Sequence, residues 1–265
     1  MNTRHKLLTM GAVLLVALAG CSSGSNTPPP TTSAPLTSVP STPAAAKSSG
    51  PSPAPTATNV GTIPDFALLD PGTYFTDPDG DSSTPLRAVF EVAAGGWSVF
   101  GGGPVKFASD EVGHVAVTIT NVTNLVRQGC HDHSLADPPV GPSVDDLATA
   151  MANLAPFRVA TPPEDVTVDG YSGKHLAWIV PNLPVHGPAD GLQFSGCGSG
   201  DLKSWDANGA NDPFYGYTGP GYREDFWILH VDGTRLVIVA GRSAGAPAEA
   251  VAEQRAILDS IRIEP

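Results

Sequence analysis

The chain has 265 residues, a formal net charge of −12 and only 14 Lys and Arg side chains. So small a basic complement excludes a nucleic-acid backbone as partner, because clustered Lys and Arg drive that binding. The 27 Pro and 29 Gly exceed the usual shares of roughly 5% and 7%, so either loops run through the whole fold or a tether is joined to an ordinary domain.

Arg4, His5 and Lys6 precede an uncharged apolar run from Leu7 to Ala19. The run is too short for the roughly 20 residues that a bilayer core demands, and it reads as an export signal. It ends in Leu18-Ala19-Gly20-Cys21, which resembles the lipobox of bacterial lipoproteins. The resemblance implies that residues 1–20 are cleaved off and that Cys21 carries a diacylglycerol thioether, the thiol being the nucleophile that accepts the lipid. Two or more acyl chains, at about 0.8 kcal/mol per buried methylene, anchor a protein stably where a single myristoyl chain does not. The mature chain is therefore expected on the extracytoplasmic face of the cell membrane, lipid-anchored without spanning it.

Residues 21–64 are almost entirely Ser, Thr, Pro, Ala and Gly, and no Asp or Glu occurs before Asp65. Such a stretch cannot bury a core and reads as a disordered linker. About 40 residues reach roughly 35 Å as a coil and about 120 Å as polyproline II, enough to hold a domain clear of lipid headgroups. All 26 acidic side chains belong to residues 65–265.

Within residues 65–265, strands are expected near Ala88–Val92 and Val115–Thr120. Ser143 followed by Asp146 forms a capping box ahead of Val144, Leu147, Met151 and Leu154, which recur at helical spacing. A hairpin from Asp165 to Val180 turns at Asp169-Gly170. A second joins Phe226–Val231 to Thr234–Ala240 through Asp232-Gly233, the residue pair that a type I′ turn favours. Pro247 and Glu249 open a second amphipathic helix carrying Ala250, Val251, Ile257 and Leu258, and Ile261 and Ile263 alternate as a closing strand. The fold class is α+β, an antiparallel sheet with two amphipathic helices packed on it. Residues 65–141 either extend that sheet or form a β unit of their own.

The order helix, hairpin, long insertion, hairpin, helix over Ser143–Pro265 resembles the Mog1/PsbP-like fold, which recurs in actinobacterial cell-envelope lipoproteins. The capped helix, the Asp169–His175 turn, the Asp232-Gly233-Thr234 hairpin and the Leu258–Ile261 segment carry the likeness. It implies a binding or assembly role in the envelope, toward a protein, glycan or lipid ligand. The even pair Cys130 and Cys197 in an exported chain is expected to form a disulfide, worth about 4 kcal/mol if its effect is wholly chain entropy.

Candidate chemistry is sparse. Trp205, Phe214, Tyr215, Tyr217 and Tyr222, interleaved with Gly and Pro, form the candidate ligand-binding cluster, since aromatic faces offer area at little entropic cost. Gly241-Arg242-Ser243-Ala244-Gly245 matches the nucleophile-elbow pattern, but no His follows Ser243. Cys130-His131-Asp132-His133 holds metal-ligating types, yet consecutive residues seldom converge on one ion. Gly101-Gly102-Gly103 lacks the Gly-Lys-Ser/Thr of a phosphate loop, so no cofactor is expected. An envelope binding module is the reading the residues favour, with an exported hydrolase or metal-dependent enzyme at Ser243 or His131/His133 as the alternative. A Cys21→Ala substitution is expected to abolish incorporation of labelled palmitate in the producing cell; undiminished labelling would exclude the lipobox.

Overall fold

The computed structural model describes residues 56–81, 83–107, 113–187, 193–207, 217 and 219–265. Cys21, the export signal, nearly all of the Ser/Thr/Pro/Ala-rich stretch, Phe214 and Tyr215 lie outside the described residues. Pro53–Pro265 forms one unit. Its elements are β1 (Thr58–Asn59), β2 (Leu68–Leu69), β3 (Gly72–Thr76), β4 (Arg87–Val92), β5 (Trp97–Phe100), β6 (Gly103–Phe107), β7 (His114–Thr120), β8 (Val122–Gln128) and β9 (Asp132–Leu135). Then follow α1 (Val144–Ala152), β10 (Arg158–Val168), β11 (Tyr171–Ile179), β12 (Val185–His186), β13 (Gln193–Phe194), β14 (Trp205–Ala207), β15 (Arg223–Val231), β16 (Thr234–Arg242), α2 (Ala248–Asp259) and β17 (Arg262–Glu264).

An antiparallel sheet in the order β10-β11-β15-β16-β7-β6-β5-β2 runs through the domain. Both hairpins read from the sequence are present, and both Asp-Gly turns take the left-handed backbone that type I′ demands, at Asp169 and Gly170 and at Asp232 and Gly233. Residues 65–141 are no separate β unit, because β2, β5, β6 and β7 join this sheet beside β16. A second sheet, β1-β3-β4-β17, has the described N-terminal strand at one edge and the closing strand at the other. Strands begin at Thr58, ahead of the first acidic residue, because the next residue but one, Val60, is fully buried in the core.

The β15–β16 hairpin is apolar on both sides, so each side of the sheet carries its own core. Phe226, Ile228, Val237 and Val239 point toward α1 and pack with Leu147 and Met151. Leu229, Val231, Leu236 and Ile238 point the other way, to Ile257 of α2 and to Phe90 and Ile263 of the second sheet. Helix α1 starts where the sequence placed it: Ser143 Oγ accepts the Asp146 N–H at 3.0 Å, and Asp146 accepts the Ser143 N–H at 3.1 Å. Helix α2 is seated by a polar contact that its apolar stripe does not reveal. Buried Gln254 Nε2 donates to the Ala116 and Gly241 carbonyls at 2.7 and 2.8 Å, joining β7 to β16.

The long insertion between β11 and β15 folds under the α1 side. Cys130 and Cys197 are bonded, tying it to the segment after β8. At the far edge β10 breaks register between Thr161 and Glu164, where Pro162 and Pro163 have no N–H to offer an incoming strand.

Gly173 shows how closely the central strands lie: a Cβ built there would stand 2.0 Å from the Ile228 carbonyl oxygen of β15. Gly173→Ala is expected to lower unfolding stability by about 1–3 kcal/mol, read as a shift in urea midpoint at unchanged slope.

Candidate functional site

The insertion's aromatic cluster faces inward. Trp205, Tyr217 and Tyr222 are buried in the core on the α1 side, with Tyr217 between Phe157 and Tyr222 at centroid distances of 5.0 and 5.9 Å. Large aromatic side chains are what the insertion has available to cover that core, so these three present no surface to a ligand. They enclose fully buried Glu224, whose Oε2 accepts from Trp178 Nε1 at 2.7 Å and from the Tyr217 hydroxyl at 2.6 Å. Burial first, then the charge of Glu224, pushes the Tyr217 phenol far above its ordinary range, so it remains a neutral donor.

The segment from Cys130 to His133 does not converge on an ion. Cys130 is held in the disulfide, the His133 ring sits on the Gly129 carbonyl at 2.9 Å, and His131 is exposed. Among the described residues no three His, Cys, Asp or Glu side chains are grouped to hold a metal.

Ser243 has a partner that a downstream search misses. Antiparallel pairing of β16 with β7 continues one step past Arg242 and Val115, setting His114 opposite Ser243. Ser243 N–H donates to the His114 carbonyl at 2.9 Å, and Ser243 Oγ accepts the His114 backbone N–H at 3.1 Å. The same Oγ lies 2.9 Å from His114 Nδ1. Burial pushes the His114 imidazole below its ordinary pKa, which favours the neutral ring, and with the proton on Nε2 its Nδ1 accepts the serine hydroxyl. The ring is flanked by Phe107 and Tyr222 at 5.8 and 5.2 Å. Beyond Ser243 the chain turns at Gly245, which has a left-handed φ of 81°, and the Ala244 and Gly245 amides donate to no group among the described residues.

His114 stands beside a group of exposed apolar side chains on the α1 side of the sheet. Register places Leu68, Ser98, Phe100, Val105, Phe107, His114 and Ala116 on the α1 side, beyond β10, β11 and β15, against which α1 mainly packs; Ser98 and Val105 are buried beneath the outer side chains. Leu68 is 77% exposed, Phe66 64%, Phe100 53% and Phe107 48%. Phe66 packs on Phe100 and Phe107 at 5.2 and 6.4 Å and has a φ of 65°, a conformation that costs a bulky residue of order 1–3 kcal/mol. Nothing in the composition of β5 and β6 marks this half as open; the placement of the helices decides it.

A third feature lies on the α2 side, where half-buried Asp225 gathers cations. Its carboxylate accepts from Arg223 at 2.8 and 2.7 Å, with His175 at 3.4 Å and Arg242 at 3.9 Å. Burial works to raise the Asp225 carboxyl, but the hydrogen bonds from His175 and Arg223 and the charges of Arg223 and Arg242 outweigh it and hold it at about 2. The bond to Asp225 raises the His175 imidazole against the effect of burial, with help from Glu164 at 3.1 Å, and the ring lies 5.0 Å from that of Trp227.

The two histidines respond to pH with opposite sign. His175 holds its proton more tightly folded than unfolded, so its contribution is complete below the ordinary imidazole value of about 6.5 and is lost as pH rises through its raised value. His114 resists protonation when folded, so stability falls as pH drops below about 6.5 toward its lowered value. Urea midpoints measured against pH are expected to lose their decline above neutrality in His175→Gln and their decline below it in His114→Phe. Unchanged profiles in both variants would count against these environments.

No family model matches the chain, and no curated protein sequence matches it. Among solved structures, the chain aligns with the crystal structure of LpqN, described as involved in cell envelope biogenesis of Mycobacterium tuberculosis. The identity is 10%, over 77% of this chain and 92% of that one, with a TM-score of 0.25. A likeness of that size establishes neither a shared fold nor a shared activity. No helix among the described residues is long and apolar enough to cross a membrane.

Proposed function

We propose that this chain is a lipid-anchored module on the extracytoplasmic face of a bacterial cell membrane, of Mog1/PsbP-like α+β architecture, and that its open half-sheet binds an aliphatic chain of an envelope lipid. The lipobox at Cys21 and the uncharged stretch after it support the location. The observation that carries the binding half is the exposure of Phe66, Leu68, Phe100 and Phe107 on one surface. Soluble monomers rarely leave a contiguous apolar patch of more than a few hundred Å² without a use for it.

An aliphatic occupant is favoured over a sugar because the face offers few polar groups. Ser98 Oγ is directed at the Val105 carbonyl at 3.4 Å, and the exposed rings are phenylalanines without hydroxyls. The source of the lipid follows from the chain's own course. Residues 22–57 lead from the proposed anchor to β1, and Phe66 follows only seven residues after Asn59, so the proposed anchor keeps this face within a linker's reach of membrane lipids. Acidic Asp65, whose carboxylate accepts the Gly101 N–H at 3.0 Å, borders the patch, which favours taking up a single chain over lying flat on an anionic surface.

The test is a titration of a Pro53–Pro265 fragment with a fluorescent fatty acid. Losing the burial of one Phe ring is worth roughly 1.5–3 kcal/mol, so Phe100→Ser and Phe107→Ser are each expected to weaken binding about 10- to 100-fold. Equal binding by wild type and variants would refute the assignment. Concentration-dependent dimerisation in sedimentation, abolished by the same substitutions, would reassign the face to a second copy.

A further inference from the structure

We propose that Ser243 and His114 form an ester-cleaving centre acting on aliphatic acyl esters laid along the open half-sheet. The nucleophile stands on its own geometry; the choice of an aliphatic acyl group rests on the binding reading above.

Four features converge at Ser243. Its Oγ is within hydrogen-bond reach of a neutral imidazole nitrogen, at 2.9 Å, which is the contact a general base needs. The same Oγ accepts the backbone N–H of His114 at 3.1 Å, a bond that strengthens as charge gathers on the oxygen. The amides of Ala244 and Gly245, immediately after the serine, are free of partners among the described residues; the amide following a nucleophile is a usual oxyanion donor. Finally, Phe107 touches the His114 ring, so a chain lying across Phe66, Phe100 and Phe107 ends beside the reacting oxygen. A shallow cavity of about 360 Å³ has Ala244, the residue after the serine, in its lining together with Val180, Pro181, Pro220 and Gly221, and offers space for the alcohol part.

This constellation differs from a nucleophile elbow in fold, since β16 belongs to an antiparallel hairpin, but nucleophile and base are defined by their mutual geometry and recur on unrelated scaffolds. Flanking aromatic rings position His114, and no carboxylate among the described residues bonds it.

In the reaction, Ser243 Oγ attacks the acyl carbon while its proton passes to His114 Nδ1. The tetrahedral intermediate collapses, the carbon–oxygen bond to the alcohol breaks, and the alcohol departs with the proton from His114. Water then gives a proton to His114 and attacks the acyl–Ser243 ester, releasing the carboxylic acid and returning the proton to Oγ.

The experiment labels membranes from cells producing the full chain with a fluorophosphonate probe, then measures hydrolysis of p-nitrophenyl acetate and decanoate by the purified full chain. Wild type is expected to be labelled on Ser243, located by peptide mass spectrometry, and to cleave decanoate at least 10-fold faster than acetate. Ser243→Ala is expected to lose labelling entirely. His114→Phe, which keeps a ring between Phe107 and Tyr222, is expected to label at least 100-fold more slowly, the scale of a lost general base. An intact Cys130–Cys197 bond in each variant verifies folding. The wild-type rate is expected to rise with pH through a midpoint below about 6.5, as the basic form of a buried imidazole requires. Absence of wild-type labelling, or labelling that survives in Ser243→Ala, overturns the centre. Labelling with equal rates on acetate and decanoate leaves the nucleophile standing and overturns the aliphatic substrate together with the binding reading.

Discussion

Two-sided burial of the β15–β16 hairpin is the constraint on which the rest of this domain depends. A strand pair that is apolar in both directions cannot be satisfied by one layer of covering structure. Residues of one parity in β15 require α1 and the insertion, and residues of the other require α2 and the second sheet. The two helices therefore lie on opposite sides, each near the hairpin. Helix α2 reaches on to β7 through Gln254, whereas α1 stays near the hairpin, and on its side the strands beyond leave Phe100 and Phe107 exposed. The open half-sheet is thus a remainder, left because the covering material is used up where the hairpin needs it.

Local signals were the ones the sequence made legible. Asp169-Gly170 and Asp232-Gly233 announce their hairpins because few residues other than Gly, Asn and Asp tolerate two successive left-handed positions. Ser143 and Asp146 announce α1 because a helix start needs its first amides satisfied by side chains close by. Cys130 and Cys197 could be paired by counting. What could not be read are juxtapositions created by strand order. His114 precedes Ser243 by 129 residues, and only the pairing of β7 with β16 sets them face to face, so a search confined to residues after the serine rejected the motif. The depth of the aromatic cluster was hidden for a related reason. Trp205, Tyr217 and Tyr222 have the composition of a binding surface, but composition cannot distinguish a surface from the underside of an insertion that must fill a core. The exposed phenylalanines were passed over because short strands such as β5 and β6 look alike whether or not a helix covers them.

Several polar groups placed inside the domain lock that strand order. Arg235, at the start of β16, donates to the carbonyls of Gly141, Ser143 and Val122 at 2.8, 3.2 and 2.6 Å, fixing the approach to α1 and the start of β8 against the hairpin. Gln254 does the same from the other side. Glu224 holds Trp178 and Tyr217 together within the α1-side core. Each of these side chains satisfies backbone or ring donors and acceptors that a wrong register would leave unpaired, at about 1–3 kcal/mol per buried group, so the polar contacts select one packing while the apolar ones supply most of the driving force.

The four-stranded sheet in the order β1-β3-β4-β17 has the first and last strands at its two edges. The described chain therefore joins this sheet at its N-terminal end through two residues, Thr58 and Asn59, paired in parallel with Tyr74 and Phe75, and through the bond from Asn59 to Asp77 at 2.9 Å. Releasing so short a pairing would free a few residues ahead of Val60 without touching the eight-stranded sheet that carries Ser243, His114 and the phenylalanine face.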